Sequence, residues 1–268
     1  MRARARVTVE EQERTDRDRN RDRDRDRSDP GRADRLRRLL GSAEGTEATP
    51  HAGRVRILPA VPAIASLLPD GGLRRGTTVA VSGSTSLALA LAVGPSGAGS
   101  WCAVVGAPAL GLVAAAEMGI AFERFPLIAP PGRAWTRTVA AALEAFDLVL
   151  AWPPAEGIPA SEARRLSALG RERDAVLVAC GGSAWPERAD LRLEAVRSVW
   201  LGLERGHGRL RARRLDVVVT GRGSASIPRR SSLWLPGADG GIAMATDPAA
   251  VAVATASTSG VAIAASAG

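Results

Sequence analysis

The chain has 268 residues, of which 46% are apolar and 24% are charged, and its formal net charge is +8. This length suits one sizeable domain plus tails, and the apolar fraction is large enough to build a real core. The chain starts with arginines and acidic residues, and its apolar stretches are too interrupted for a membrane span. We therefore expect neither secretion nor membrane insertion, and we predict a cytoplasmic protein.

The positive charge is unevenly distributed. Residues 1–33 hold eleven arginines and nine acidic residues, whereas residues 205–230 hold eight arginines and one acidic residue. A basic face in the folded part fits nucleic acid or an acidic partner. Cys102 and Cys180 each lie in an apolar, strand-like run without a nearby histidine or second cysteine. We interpret both as small buried hydrophobes and predict no metal site.

The first 53 residues are predicted to be a disordered, charged tail and linker. Arginine and aspartate alternate over residues 21–27, and almost nothing in residues 1–33 could be buried. A tail that contacts RNA or DNA is an alternative, although the near balance of charge opposes strong phosphate affinity. The folded part opens with Val55–Leu68, which can form a short helix after Pro62.

The next stretch, Pro69–Leu91, has the order of a P-loop unit. A Gly-rich turn, Gly71–Gly76, leads into an apolar strand and then into a helix-like run from Ser84. A phosphate-cradling loop needs several Gly-rich residues, a lysine, and a serine or threonine for the metal. Only Gly83 and Ser84 separate the strand from Thr85, and the chain contains no lysine at all.

The rest of the chain alternates apolar strands with helices. Such strands are typical of a mostly parallel sheet covered on both faces. The strands are predicted at residues 101–105, 126–129, 147–152 and 174–180, and the helices at 110–118, 134–146 and 161–173. From residue 191 the pattern changes to antiparallel strands at residues 191–193, 199–204 and 210–220, with a hairpin turn at Gly206–Gly208. His207 is predicted to be a turn residue rather than a catalytic base.

The Gly71–Gly76 turn and the following strand, Val79–Gly83, resemble the start of the core domain in the RecA family. The order of elements from about Val55 to Arg222 is also similar to that family. The resemblance implies an α/β, RecA-like fold, with a mostly parallel sheet flanked by helices, antiparallel strands at the C-terminal edge and disordered termini. The implied divisions are the tail at 1–53, a RecA-like core at 54–222, and a flexible C-terminal tail at 223–268.

The charged groups on which that family's ATPase chemistry depends are absent from their expected positions. The lysine is missing, and Gly106–Ala109 stands where the family carries a water-activating carboxylate. Ala151 and Trp152 stand where an aspartate would hold magnesium, and Asp147 lies at the wrong end of its strand. We therefore predict no enzymatic activity and no cofactor. A degenerate nucleotide site could remain at the helix N-terminus, where anions are attracted; its residues would be Gly83, Ser84, Thr85 and Ser86.

A second candidate site is an arginine-rich hairpin. Its predicted binding residues are Arg205, Arg209, Arg211, Arg213, Arg214, Arg222, Arg229 and Arg230. Arg209, Arg211 and Arg213 alternate, so a strand would place them on one face. They could be a solvated edge that resists aggregation, or they could contact DNA phosphates or an acidic protein patch. Any DNA contact would be independent of sequence. Replacing these three with alanine is expected to weaken binding without unfolding the core.

Among RecA relatives, the chain most resembles the ImuA-type accessory proteins of bacterial translesion synthesis, particularly the actinobacterial form. The resemblance implies a role in the DNA damage (SOS) response and in mutagenesis. The implied partners are a Y-family-like polymerase subunit of the ImuB type, an error-prone replicative-type polymerase, RecA and DNA. We predict a non-catalytic adaptor. Two alternatives stay open: a cell-division inhibitor of the SulA type, and a RecA-type ATP-dependent DNA-binding protein.

Overall fold

A ten-stranded sheet forms the centre of this computed structural model. The structure describes residues 56–107, 109–181, 185–186, 188–204, 207–245 and 263–265. All of these belong to one compact unit, Val55–Gly268. The predicted tail at residues 1–53 lies outside the described residues. Within the described ranges, no helix combines the length and the apolarity that crossing a bilayer would require.

The strands are numbered in chain order. They are β1 Ile57–Pro59, β2 Gly72–Arg74, β3 Thr78–Ser82, β4 Cys102–Val105, β5 Leu127–Ile128, β6 Leu148–Ala151, β7 Val176–Cys180, β8 Leu191–Glu204, β9 His207–Gly221, β10 Arg229–Trp234, β11 Ala243–Met244 and β12 Ile263–Ala265. The α-helices are α1 Pro62–Ala65, α2 Thr85–Gly97, α3 Leu112–Glu117, α4 Trp135–Ala145 and α5 Ala160–Glu172.

The parallel half of the sheet consists of β3, β7, β6, β4 and β5 in that spatial order. The predicted strands therefore lie in one sheet, with β7 between β3 and β6. Val79 faces Val178 on β7, and Val149 faces Ala103 on β4. The side chains of β4, β6 and β7 are buried on both faces of the sheet. Continuous apolar strands require this double cover, because neither face can be left to water.

Helices supply that cover. The core on one face joins α2 to Val79, Val81 and Val104, while the core on the other face joins α4 and α5 to Val149 and Leu177. Helix α2 is apolar on all sides because β1 packs against it opposite the sheet. A Cβ added at Gly94 would lie 2.5 Å from the carbonyl oxygen of Pro59.

A buried ion pair closes the N-terminal end of the parallel strands. Arg75 of the Gly-rich turn donates to Asp147 at 2.8 Å, and the second carboxylate oxygen of Asp147 accepts from the backbone N–H of Trp101 at 2.9 Å. Both charged side chains are about nine-tenths buried. Asp147 thus holds the start of β6 to the start of β4. Asp147 lies at the N-terminal ends of the parallel strands, whereas the N-terminus of α2 lies at their C-terminal ends. Its position at the start of a strand predicts this placement.

The antiparallel half begins where β8 pairs in parallel with β3 and continues through β9, β10 and β11. Strands β8 and β9 form a hairpin of 14 and 15 residues. The predicted fold class is confirmed: a mostly parallel sheet flanked by helices, with antiparallel strands at its C-terminal edge. Strand β8 is continuous where we predicted two shorter strands. His207 opens β9 instead of lying in the turn, and residues 205–206 lie outside the described residues.

The predicted C-terminal tail at 223–268 needs correction in its first part. Residues 229–234 form β10 against β9, and β11 then pairs with β10. Leu233 and Leu235 are fully buried, so this segment completes the core instead of leaving it. The composition of the tail as a whole concealed these few apolar residues among serines, glycines and arginines. Residues 246–262 and 266–268 lie outside the described residues.

Candidate functional site

The first candidate site is the junction between β3 and α2. Only Gly83 and Ser84 connect the strand to the helix, so the loop is as short as the sequence predicts. Ser84 caps the helix, and its hydroxyl accepts from the backbone N–H of Leu87 at 3.2 Å. Gly83 has φ of +77°, and a Cβ there would lie 2.4 Å from the carbonyl oxygen of Ala195 on β8. The loop therefore lies directly against the antiparallel half of the sheet.

An arginine from β9 occupies the N-terminus of α2. The Nη2 group of Arg213 donates to the Ser84 hydroxyl at 2.9 Å, and its Nε donates to the carbonyl of Leu235 at 2.8 Å. Its guanidinium also stacks over Trp200, 5.4 Å from the ring centroid. Burial lowers the pKa of Arg213, but arginine still stays protonated at neutral pH. A cation therefore lies where a P-loop protein would hold the phosphates.

The contact with Arg213 changes what the helix N-terminus can do. Helix N-termini favour anions, so the dipole of α2 does not favour a cation there, and other groups must hold the guanidinium in place. Ser84 and Leu235 accept two of its hydrogen bonds. Thr85 is exposed and Ser86 is half-buried beside this contact. The four residues of the degenerate site do come together, but their capping hydroxyl is committed to the chain's own arginine.

Tryptophans cover the C-terminal ends of the parallel strands. Trp135, Trp152 and Trp185 are all buried. A Cβ added at Gly106, directly after β4, would lie 3.3 Å from the ring of Trp135, and one added at Gly181, directly after β7, would lie 3.9 Å from the ring of Trp152. In open α/β sheets, ligands bind at this edge of the sheet. Here apolar rings lie beside the residues that follow β4 and β7.

A small cavity opens beside these rings. Its volume is about 130 Å³, and its lining includes Ser82, Gly181, Trp185, Arg192 and Glu194. Small-molecule sites usually occupy about 300–1,000 Å³, so this cavity is too small for a nucleotide. Among the described residues, no group of three or more His, Cys, Asp or Glu side chains could hold a metal ion.

The second candidate site, the arginine set, divides into separate groups. Arg209 and Arg211 are exposed near the tip of the β8–β9 hairpin, whereas Arg229 and Arg230 are exposed where β10 begins. Arg229 faces Val219, eight residues along β9 from Arg211. At 3.3 Å per residue that distance is about 26 Å. The set is therefore not one continuous patch.

The remaining arginines of the set have different positions. Arg213 contributes to the packing at α2 rather than to an open face. Arg214 lies on the opposite face of the strand, where it bonds to the Ser232 hydroxyl at 3.1 Å and lies 3.4 Å from Asp216. Arg222 is exposed just after β9, and Arg205 lies outside the described residues. The alternation of arginines along the strand could not reveal that Arg213 bonds within the fold, because its two acceptors, Ser84 and Leu235, are distant in sequence.

Two comparisons with known proteins each match less than half of the chain. The family model described as "MT3502 N-terminal domain" matches residues 66–187, which include β2 to β7 and end before β8. The chain is also similar to a Mycobacterium tuberculosis protein named "Uncharacterized protein Rv3395c", with 32% identity over 118 residues. That match covers 43% of this chain and 58% of the mycobacterial protein, so it spans little more than half of the relative.

Proposed function

We propose that this chain is a non-catalytic, RecA-like adaptor of the ImuA type, which acts in translesion synthesis by joining error-prone polymerase components. The observation that carries the proposal is the bond from Arg213 to the hydroxyl of Ser84 at the N-terminus of α2. A nucleotide phosphate would need the space and the hydrogen-bond donors of this same helix end. The guanidinium of Arg213 occupies part of this space, and the N–H of Leu87 already bonds to the Ser84 hydroxyl.

The electrostatics of the strand ends support the absence of phosphoryl transfer. That reaction is accelerated almost entirely by positioning and by charge stabilisation around the phosphates and the metal. Gly106 and Ala107 follow β4, and Trp152 follows β6, so neither strand supplies a carboxylate at this edge. A RecA-type ATPase would therefore lack its water-activating group and its metal ligand as well as its lysine.

The choice of the ImuA type rests on the sequence resemblance that begins at the Gly71–Gly76 turn. The relative in Mycobacterium tuberculosis is actinobacterial, as is the ImuA-type form that the sequence resembles most closely. On this proposal the partners are an ImuB-type Y-family-like polymerase subunit, an error-prone replicative-type polymerase, RecA and, without sequence preference, DNA. Arg209 and Arg211 are the exposed pair best suited to such contacts, because they extend beyond the packed core.

Calorimetry with ATP and Mg²⁺ tests the non-catalytic part of the proposal. We expect no saturable heat at millimolar nucleotide and no phosphate release, while an active RecA-family ATPase in the same buffer gives both. Magnesium-dependent ATP turnover by the purified chain would instead favour the RecA-type ATPase.

Capture of a purified ImuB-type subunit on the immobilised chain tests the adaptor part. The double variant Arg209→Ala/Arg211→Ala is expected to weaken capture roughly tenfold, since exposed interface charges mainly affect association. Arg229→Ala/Arg230→Ala removes the same charge about 26 Å away and is the matched control. Arg213 is left intact, because its replacement would disturb α2. If the subunit is not captured, and the chain instead blocks filament formation by the division GTPase, the SulA-type alternative is correct.

A further inference from the structure

The β8–β9 hairpin extends beyond its neighbours in the sheet and has one open edge. Strand β3 pairs with β8 only from Leu191 to Glu194, although β8 continues to Glu204. Strand β9 pairs with the other edge of β8 along its length. We call residues 196–204 and 207–213 the arm. An uncovered strand edge presents N–H and C=O groups that can pair with another chain.

The open edge of the arm already accepts an added strand. Strand β12 pairs antiparallel with it, so that Ile263 faces Trp200 and Ala265 faces Ser198. Among the strands that the structure describes, β12 is the one that pairs with this edge beyond Glu194. It covers three residues of β8, and Leu201–Glu204 continue past it.

The direction of the backbone donors follows from the ladder. The N–H and the C=O of Arg213 bond to Pro236 and Leu235, which follow β10, so Arg213 exchanges no backbone bond with Trp200, the residue that faces it on β8. Directly opposite residues of an antiparallel pair exchange either both bonds or neither, and the two kinds of pair alternate along the ladder. The N–H groups of Ser198 and Trp200 therefore point to the open edge, whereas that of Val199 points to β9.

The surroundings of the edge are basic and apolar. Arg197, Arg209 and Arg211 are exposed on the arm, as are the apolar side chains of Val196 and Leu210. Arg211 lies beside β8, because a Cβ at Gly202 would be 3.0 Å from its Cγ. A strand that alternates acidic and apolar residues would satisfy both properties, with charge complementarity selecting it over basic or neutral strands.

We propose that the edge from Arg197 to Leu201 binds an extended acidic segment of a protein partner as an added antiparallel strand, in competition with β12. In this mode, backbone hydrogen bonds supply affinity and side chains supply specificity. The inference rests on the proposed function only in taking the occupant to be a protein partner. It adds where on the chain that partner docks and what kind of segment it presents.

A fluorescent eight-residue peptide of alternating valine and glutamate is the probe, and anisotropy with the full chain is the measurement. The same peptide with lysine in place of glutamate is the control. Ser198→Pro removes one edge-facing N–H and should weaken binding at least tenfold, whereas Ser198→Thr keeps the N–H and should stay within twofold of the original chain. Equal binding of both peptides, or wild-type affinity in Ser198→Pro, overturns the proposal.

A charge pair keeps the test decisive if Ser198→Pro fails to fold. Arg209→Glu/Arg211→Glu should abolish binding of the acidic peptide, while Arg229→Glu/Arg230→Glu should leave it unchanged. Ala265→Pro weakens the pairing of β12 and should raise affinity two- to threefold; an unchanged affinity would contradict competition. Self-association through the edge, or DNA binding by the arm without peptide binding, would assign the edge to another occupant and also overturn the proposal.

The two proposals fail in different ways. If the ImuB-type subunit does not bind the full chain but the acidic peptide binds as described, the proposed function fails and the docking edge stands. If the subunit binds equally well to the wild-type chain and to Ser198→Pro, and the peptide does not bind, the adaptor stands and this docking edge is wrong.

Discussion

The two halves of the sheet differ in what covers them and in where their charges lie. The parallel half has helices on both faces, and its one buried ion pair among the described residues, Arg75–Asp147, lies at the N-terminal end of the strands. The antiparallel half has its main core on one face, whereas its other face carries the charged pair Arg214–Asp216 beside a small apolar cluster of Ala212 and Trp234. Its hairpin extends beyond β3.

This difference separates the part of the chain that is similar to known proteins from the rest. The family model ends at residue 187, so it matches the parallel half and not the arm. Buried tryptophans lie over the C-terminal ends of the parallel strands, and Arg213 reaches across from the antiparallel half to the N-terminus of α2. Packing therefore occupies this edge of the sheet, whereas the arm carries exposed arginines.

The largest expected effect is in the parallel half, where Asp147→Ala removes a buried carboxylate. Arg75 and the N–H of Trp101 would both lose their partner, so we expect a loss of about 3–5 kcal/mol in unfolding free energy. Asp70→Ala is the matched control, because Asp70 pairs with Arg74 at 3.1 Å on the surface. That variant should lose less than about 1 kcal/mol. Urea denaturation measures both, and equal losses would contradict the contrast between buried and exposed pairs.

A smaller loss is expected where the two halves touch. Gly83→Ala places a Cβ 2.4 Å from the carbonyl oxygen of Ala195 at a φ of +77°. Backbone strain and overpacking together should cost about 3 kcal/mol. Gly71 has a similar φ of +69° but nothing within 4 Å of an added Cβ, so Gly71→Ala isolates the strain at about 1 kcal/mol. Thermal melts of both variants show whether the short loop must lie against β8.

Much of the parallel half could be predicted because its signals are local. The apolar run of Val79 and Val81, the cap at Ser84 and the uninterrupted strand around Val149 each specify their element within a few residues. Even the orientation of Asp147 follows from its place at the start of a strand. The short connection between β3 and α2 could also be predicted, since only Gly83 and Ser84 separate the apolar strand from the helix-like run.

The antiparallel half was harder because its packing is non-local. Arg213 alternates with Arg209 and Arg211 in sequence, yet its acceptors belong to Ser84 and Leu235, far away along the chain. Leu233 is buried only because β10 reaches β9 across a loop. Single apolar residues among serines and arginines do not predict such a strand, so the segment was assigned to a tail.

Arg213→Ala separates the internal arginine from the exposed ones. Loss of charged hydrogen bonds to Ser84 and Leu235, and of stacking on Trp200, should cost about 2 kcal/mol of stability. Arg214→Ala changes the adjacent, exposed residue and should cost under about 0.5 kcal/mol. Chemical denaturation of the two variants tests this. Equal stability would mean that the contacts of Arg213 contribute no more to folding than those of the exposed Arg214. Arg209→Ala should show the reverse pattern: it should weaken binding of the acidic peptide but leave the stability nearly unchanged.

The smallest effect tests burial in the parallel half through pH. Burial, and secondarily the charge of Asp147, raise the pKa of Cys102 from 9.0 to about 12. Above pH 9 the unfolded chain therefore loses a proton that the native chain keeps. The unfolding free energy should fall by about 1.4 kcal/mol per pH unit for this thiol between pH 9 and about 12. Below pH 9 the contribution is fully present.

The composition of the chain makes this alkaline decline unusually easy to assign. It has no lysine and no tyrosine, so few side chains other than the two cysteines titrate between pH 9 and 11. Burial also raises the pKa of Cys180. From pH 8 to pH 10, Cys102→Ala should therefore lose about 1.4 kcal/mol less stability than the original chain in urea denaturation under reducing conditions. Equal declines would mean that Cys102 titrates in the native chain as it does when unfolded, which its buried place on β4 would not allow.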